Sequence, residues 1–242
     1  MIKIKNVSKS FGTKKVIQDM NLEIEDGLIF GFIGQNAAGK TTTINMITGA
    51  TSITKGDIEI GGFSIKNDPI NAKKKMGVVF DSPDQFLSMK VIDFWNFIGD
   101  AYDVETDVRK ERIEELVKDF KIEEYINSYI QDLSHGTKQK VMIVAALLHD
   151  PEVWILDEPM TGLDPESSYI LKEKMRQHAK AGKTVFFSSH VLEVVEKLCD
   201  KIAIIKQGKI IYVGTYDELK QKYPDTEDLE KLFIKITGGK SE

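Results

Sequence analysis

A chain of 242 residues, 41% hydrophobic and 29% charged, is long enough for one large domain with a sizeable core, and its composition excludes a disordered or fibrous class. Its formal net charge of −5 gives no general attraction to nucleic acid or anionic lipid, so no nucleic-acid partner is expected. The one cysteine, Cys199, excludes an intrachain disulfide framework. The opening residues MIKIKNVSKS lack an apolar signal region, and the longest fully apolar run, Val141–Leu148, is far short of the ~20 residues that span a bilayer.

In chain order, Ile2 and Ile4, then Leu22 and Ile24, alternate with polar neighbours as half-buried strands do. Leu28–Ile33 is an apolar strand, and Thr41–Ile47 reads as the start of a helix. Between them, residues 34–41 read GQNAAGKT, the G-x-x-x-x-G-K-[ST] pattern of a phosphate-cradling loop at a strand-to-helix junction. Gly34 and Gly39 allow the backbone to turn its N–H groups onto phosphates. Lys40 brings a compact positive charge to the β- and γ-phosphate oxygens. The Thr41 hydroxyl is a magnesium ligand candidate, and Thr42 adds a donor near the α-phosphate. The whole stretch, Gly34, Gln35, Asn36, Ala37, Ala38, Gly39, Lys40, Thr41 and Thr42, is expected to bind a nucleoside triphosphate.

Asp57–Ile60 and Phe63–Ile65 flank Gly61-Gly62 as a hairpin, which suggests a small antiparallel sheet beside the loop. Lys73-Lys74-Lys75 reads as a solvated face, and Met76–Phe80 is a short apolar run. From Ser88 to about Leu148 the pattern is helical, with Val108, Ile113, Leu116, Val117 and Phe120 on one face. Val153–Leu156 is an apolar strand that ends in Asp157-Glu158, placing a carboxylate to hold a metal through water beside one that accepts a proton from it. A helix from Glu166 to Lys180 leads to the strand Thr184–Phe187, followed by Ser188-Ser189-His190. Cys199 lies in the apolar stripe of a helix with Val191, Val194, Val195 and Leu198, as packing. Ile202–Ile205 and Ile210–Val213 flank Gln207-Gly208 as a second hairpin, and the tail from Tyr216 is charged and helical. Strands alternating with helices predict an α/β phosphate-loop NTPase core with a mainly parallel sheet, an antiparallel β subdomain and an inserted helical subdomain.

The phosphate loop, Leu133-Ser134-His135-Gly136-Thr137, the Asp157-Glu158 strand, Pro159–Pro165 and Ser188-Ser189-His190 follow one another in an order that resembles the nucleotide-binding subunit of ABC transporters over essentially the whole chain. That resemblance implies one domain over 1–242, with a helical subdomain at about 84–150 and a helical tail at about 216–242. It implies ATP and magnesium as cofactors and a separate transmembrane permease subunit as partner, which would hold the protein on the cytoplasmic face of the membrane. It further implies a head-to-tail homodimer, or a pseudo-dimer with a related ATPase subunit. Ser134 and Gly136 would then close over ATP bound by the other subunit, and Asp164 would touch that subunit near the attacking water. Glu158 would activate the water, His190 would bond the γ-phosphate, Asp157 would hold magnesium and Phe11 would stack on adenine.

The chain departs from the family pattern at Ala37, where glycine is usual. Alanine tolerates positive φ poorly, so this backbone lies in an allowed region or carries strain. His135 and Thr137 replace the usual glycine and glutamine of the signature. Asp81 stands at the glutamine-loop position as a further magnesium candidate, with Gln85 as its competitor. The tail 229–238 and the LSxGxKQK form resemble exporter ATPases. The rival reading is an ABC-type ATPase that acts on nucleic acid or ribosomes, but one phosphate loop and no sustained heptads between Lys40 and Ser134 weigh against it.

Overall fold

The computed structural model describes residues 1–82, 84, 86–224 and 228–238. Its elements run β1 (Ile2–Phe11), β2 (Lys14–Ile24), β3 (Ile29–Gly34), α1 (Lys40–Ile47), β4 (Lys55–Ile60), β5 (Phe63–Ser64), α2 (Pro69–Lys74) and β6 (Met76–Val79). There follow α3 (Val91–Ala101), α4 (Thr106–Phe120), α5 (His135–Leu147), β7 (Val153–Asp157), α6 (Pro165–Lys180), β8 (Thr184–Ser189) and α7 (Leu192–Leu198). The chain closes with β9 (Lys201–Lys206), β10 (Lys209–Gly214), α8 (Tyr216–Lys222) and α9 (Leu229–Thr237).

A four-stranded antiparallel sheet in the order β2-β1-β4-β5 lies beside a six-stranded sheet in the order β10-β9-β3-β8-β7-β6. In the larger sheet only the β10 hairpin runs antiparallel; β9, β3, β8, β7 and β6 are parallel. Both sheets and the hairpins at Gly61-Gly62 and Gln207-Gly208 agree with the expected class.

The period-2 geometry of the central strands divides the interior into two cores. Phe30 and Phe32 of β3, Val153 and Ile155 of β7, and Phe186 of β8 face the antiparallel sheet and α1. Ile29, Ile33, Trp154, Leu156, Val185 and Phe187 alternate with them and face the helices. With both faces covered, β3, β7 and β8 are buried at every position, as parallel strands are when packed on two sides.

The segment expected to be helical from Ser88 to Leu148 resolves into α3, α4 and α5, with short 3₁₀ turns at Glu123–Tyr125 and Ile130–Asp132. The expected stripe on α4 holds for Ile113, Leu116, Val117 and Phe120, but Val108 is exposed and Arg109 is buried instead. Residues 109, 113, 116, 117 and 120 form the closer 3.6-period stripe. The two terminal nitrogens of the Arg109 guanidinium donate to the carbonyls of Asn96 and Val104 and to Asp100, while the buried Nε has no partner, and the stem crosses the interface of α3 and α4. Gly99 makes room for that stem, because a Cβ there would sit 2.2 Å from Arg109 Nε. On the outer side of this lobe Phe86, Phe97 and Tyr129 are exposed, and the Phe86 ring lies 4.9 Å from that of Phe94 and 5.7 Å from that of Phe97. Cys199 directly follows α7, and its sulfur points at Gly31 in the sheet, where a Cβ would sit 2.7 Å from Sγ. Burial pushes that thiol's pKa far up.

Candidate functional site

Three neighbouring parallel strands end at the same edge of the six-stranded sheet. The pairings Ile33↔Ser189 and Asp157↔Ser188 bring the phosphate loop after β3, His190 after β8 and Asp157-Glu158 after β7 side by side. The carboxyl ends of parallel strands are where open α/β sheets bind their ligands. A cavity of about 740 Å³ opens there, lined by Gln35, Asn36, Ala37, Gly39, Lys40, Thr41, Thr42, Asp81, Glu158 and His190.

The phosphate loop is shaped by its own sequence. Gly39, at φ 116, is the residue before α1 and takes a conformation that side chains rarely adopt. The α1 N-terminus consequently points its unpaired N–H groups into the cavity. Ala37 sits at φ 61, so the strained alternative is the one the backbone takes. A left-handed alanine costs about 1–2 kcal/mol. Ala37→Gly is therefore expected to raise unfolding stability by about 1 kcal/mol, which urea denaturation would read. An unchanged midpoint would show that the loop carries no such strain in solution.

Lys40 is 8% exposed; its Nζ donates to the Gly34 carbonyl at 2.8 Å and lies 3.8 Å from Glu158 Oε1. The other Glu158 oxygen, Oε2, accepts from the His190 backbone N–H at 3.1 Å and lies 2.8 Å from His190 Nδ1. An ionised carboxylate only accepts, so Nδ1 carries the hydrogen in that contact and Nε2 is free to face the cavity. Glu158 itself has φ 48, a second left-handed residue at the site, fixed by its N–H on Ser188 Oγ at 3.1 Å and its carbonyl on the Thr161 N–H at 3.1 Å. Strain held by surrounding bonds is typical of functional positions.

Asp157 is buried beneath it and accepts hydrogen bonds from the Ser188 and Thr41 hydroxyls. Burial pushes its carboxyl up, and the nearby negative charges of Asp81 and Glu158 push the same way, against those two hydrogen bonds. Thr41, Asp81 and Asp157 line a second cavity of about 410 Å³ that meets the first at Thr41 and Asp81. Pro83 and the competing Gln85 lie outside the described residues.

The other expected site residues stand apart from this cluster. Phe11 ends β1, exposed, with Lys9 Nζ 4.6 Å over its ring, and does not line the main cavity. Ser134 caps α5 by accepting from the Thr137 N–H at 3.2 Å, and Gly136 lies in the first turn of that helix. Asp164 caps α6 through the Ser167 N–H and hydroxyl and pairs with Lys140 at 3.0 Å. The Ser167 bonds, chiefly, and then Lys140 hold its carboxyl well below the usual carboxylate range. The segments carrying Ser134 and Asp164 also touch one another. A Cβ on Gly136 would sit 2.4 Å from the Gly162 carbonyl, and one on Gly162 would sit 2.4 Å from the His135 ring. Sequence reasoning missed Lys14, Lys15, Val16, Gln18, Thr161 and Gln207, which complete the cavity wall. The adjacent Lys14 and Lys15, just after Phe11-Gly12, were the available signal.

The sequence model described as "ABC transporter" matches residues 17–161. The chain is 36% identical over 239 residues to the ABC transporter ATP-binding protein NatA of Bacillus subtilis (strain 168), covering 97% of each. It is 33% identical over 221 residues to the Nod factor export ATP-binding protein I of Cupriavidus metallidurans, covering 90% of this chain and 72% of that one. A solved ATP-binding subunit of an ABC transporter superposes with a TM-score of 0.93 at 28% identity, covering 98% of this chain and 99% of that one. Loop, acidic strand end and histidine thus stand in a chain whose full length follows these relatives, and the protein belongs to the ABC transporter family as an ATP-binding, ATP-hydrolysing subunit.

Proposed function

We propose that two copies of this chain, or one copy and a related ATPase subunit, close head to tail over two ATP molecules and power export through a separate transmembrane subunit. The observation that carries this reading is the chain of contacts from Lys40 to Glu158 to His190 in one cavity of about 740 Å³, room enough for a nucleotide. The phosphate loop from Gly34 to Thr42 cradles the triphosphate, with Lys40 on the β- and γ-oxygens. Glu158 accepts the proton of the attacking water, and His190 orients that water and meets the γ-phosphate. Catalysis of this kind is positioning and charge stabilisation. Ser134 and Asp164 are exposed, Gly136 is half-buried, and none of the three lines its own chain's cavity, which supports their meeting the partner's ATP, with the α5 N-terminus favouring an anion. Phe11 supports the adenine from the edge of β1.

The residues at the second cavity fit magnesium. The Asp157 carboxyl is pushed up by burial first and then by the neighbouring charges of Asp81 and Glu158, an arrangement a hard cation relieves. Among the described residues no group of three or more His, Cys, Asp or Glu could hold a metal. That matches an ion held chiefly by phosphates and water, with Thr41, Asp157 and Asp81 contributing. When bound, magnesium would supply charge neutralisation at the phosphates.

Residues 84–150 are read as the helical subdomain that receives the transmembrane subunit, supported by the exposed Phe86, Phe97 and Tyr129. Among the described residues no helix is long and apolar enough to cross a membrane. Export as the direction is supported by the name of the Nod factor relative. Purified chain should hydrolyse ATP only with magnesium and elute as a dimer with bound ATP. Magnesium-independent turnover, or no ATP binding at all, would refute the reading.

A further inference from the structure

The helix α9 joins two parts of the site that are separate in sequence. Leu229 and Leu232 are fully buried, and α9 packs against α7. The Leu229 N–H donates to Glu196 of α7 at 3.4 Å, and α7 begins directly after the His190 segment. The other end of α9 reaches the phosphate loop. Thr237, 4% exposed, donates its hydroxyl to the Phe233 carbonyl at 2.7 Å and accepts from Gln35 Nε2 at 3.3 Å. Gly238 then ends the helix at φ 72. Gln35 lines the 740 Å³ cavity on one side and, on the other, a separate cavity of about 430 Å³ bounded by Lys206, Gln207, Thr237 and Gly238. Further support on that rear side comes from the β9–β10 turn, whose Gly208 N–H donates to the Ala38 carbonyl at 2.9 Å.

We propose that Thr237 is a positioning residue for nucleotide binding: it grips Gln35 from behind the phosphate loop, so that the shape of the loop, and hence affinity for the triphosphate, depends on the docking of α9. The proposal rests on the nucleotide-site reading above. The physical basis is the strain already in the loop. With Ala37 left-handed, the backbone relaxes unless outside bonds hold it. Thr237 does not line the 740 Å³ cavity, so it acts on that cavity through Gln35, which does.

The test uses the full chain with Thr237→Val, Thr237→Ser, Gln35→Ala and the Thr237→Val/Gln35→Ala pair. With magnesium-ATP as the probe, Thr237→Val should raise KM about three- to tenfold, the span of one lost hydrogen bond, with kcat within about twofold. Thr237→Ser should restore the wild-type value. In the Gln35→Ala background, whatever that change costs on its own, adding Thr237→Val should raise KM no further. Hydrogen exchange without nucleotide should quicken at residues 36–38 in Thr237→Val. Unchanged KM and exchange, additive effects in the pair, or failure of serine to rescue would each overturn the proposal. The exchange arm uses no ATP. A wild type that bound no ATP would refute the nucleotide reading, while the exchange result would still decide the role of Thr237.

Discussion

Glu158→Gln is expected to lower ATP turnover by about 10²- to 10⁴-fold, the usual contribution of a positioned general base, while ATP binding persists. The amide is nearly isosteric and can still accept from the His190 backbone N–H that Oε2 now accepts at 3.1 Å, so the geometry should survive. What it loses is the basic carboxylate. It also loses a negative charge close to where the γ-phosphate would lie, along with the 3.8 Å attraction on Lys40 Nζ. Both losses favour the bound triphosphate and so favour a closed, ATP-trapped dimer. Phosphate release and size exclusion with ATP would measure the two halves of this outcome. Near-normal turnover would remove Glu158 from the role of base.

Lys40→Ala is expected to weaken ATP binding by roughly 10- to 150-fold, which corresponds to the ~1.5–3 kcal/mol of a hydrogen bond to a charged group. The lysine is held ready before nucleotide arrives: 8% exposed, with Nζ on the Gly34 carbonyl at 2.8 Å. Little side-chain entropy is left to lose on binding, which makes its contribution large for an ammonium. Stability should change little, because Lys40 lines a cavity open to water, which can take the place of its ammonium. Titration with a fluorescent ATP analogue would read the affinity, and wild-type affinity in the variant would move the phosphate site away from this loop.

The parts of the site that could be read from sequence are those whose chemistry is contiguous. GQNAAGKT and the Asp157-Glu158 strand end carry the donors and carboxylates proposed for phosphate, metal and water within a few residues, and the alternation of Phe30 and Phe32 with Ile29 and Ile33 gives the two-sided sheet. The signature and His190 needed the resemblance, because serine, glycine and histidine in isolation have many uses. What stayed hidden depends on tertiary contact. Arg109 was passed over for Val108 because charge argues for solvent, and only the carbonyls of Asn96 and Val104 reverse that. The grip of Thr237 on Gln35 spans the chain from loop to final helix, and no local pattern encodes it. The left-handed backbone of Glu158 was equally invisible, since glutamate has no preference for that region and the surrounding bonds impose it.

The seat of Cys199 has a practical consequence. The chain's one thiol belongs to a half-buried residue and points at Gly31, and desolvation pushes its pKa far up. Maleimide and methanethiosulfonate reagents need an accessible thiolate, so they should pass it by. The native sequence is therefore already a quiet background for spectroscopy. A single cysteine introduced on the exposed face of α5 or α6 would carry a spin label or dye alone, and the distance between two such labels would report directly on the approach and separation of the two copies through a cycle of ATP binding and hydrolysis.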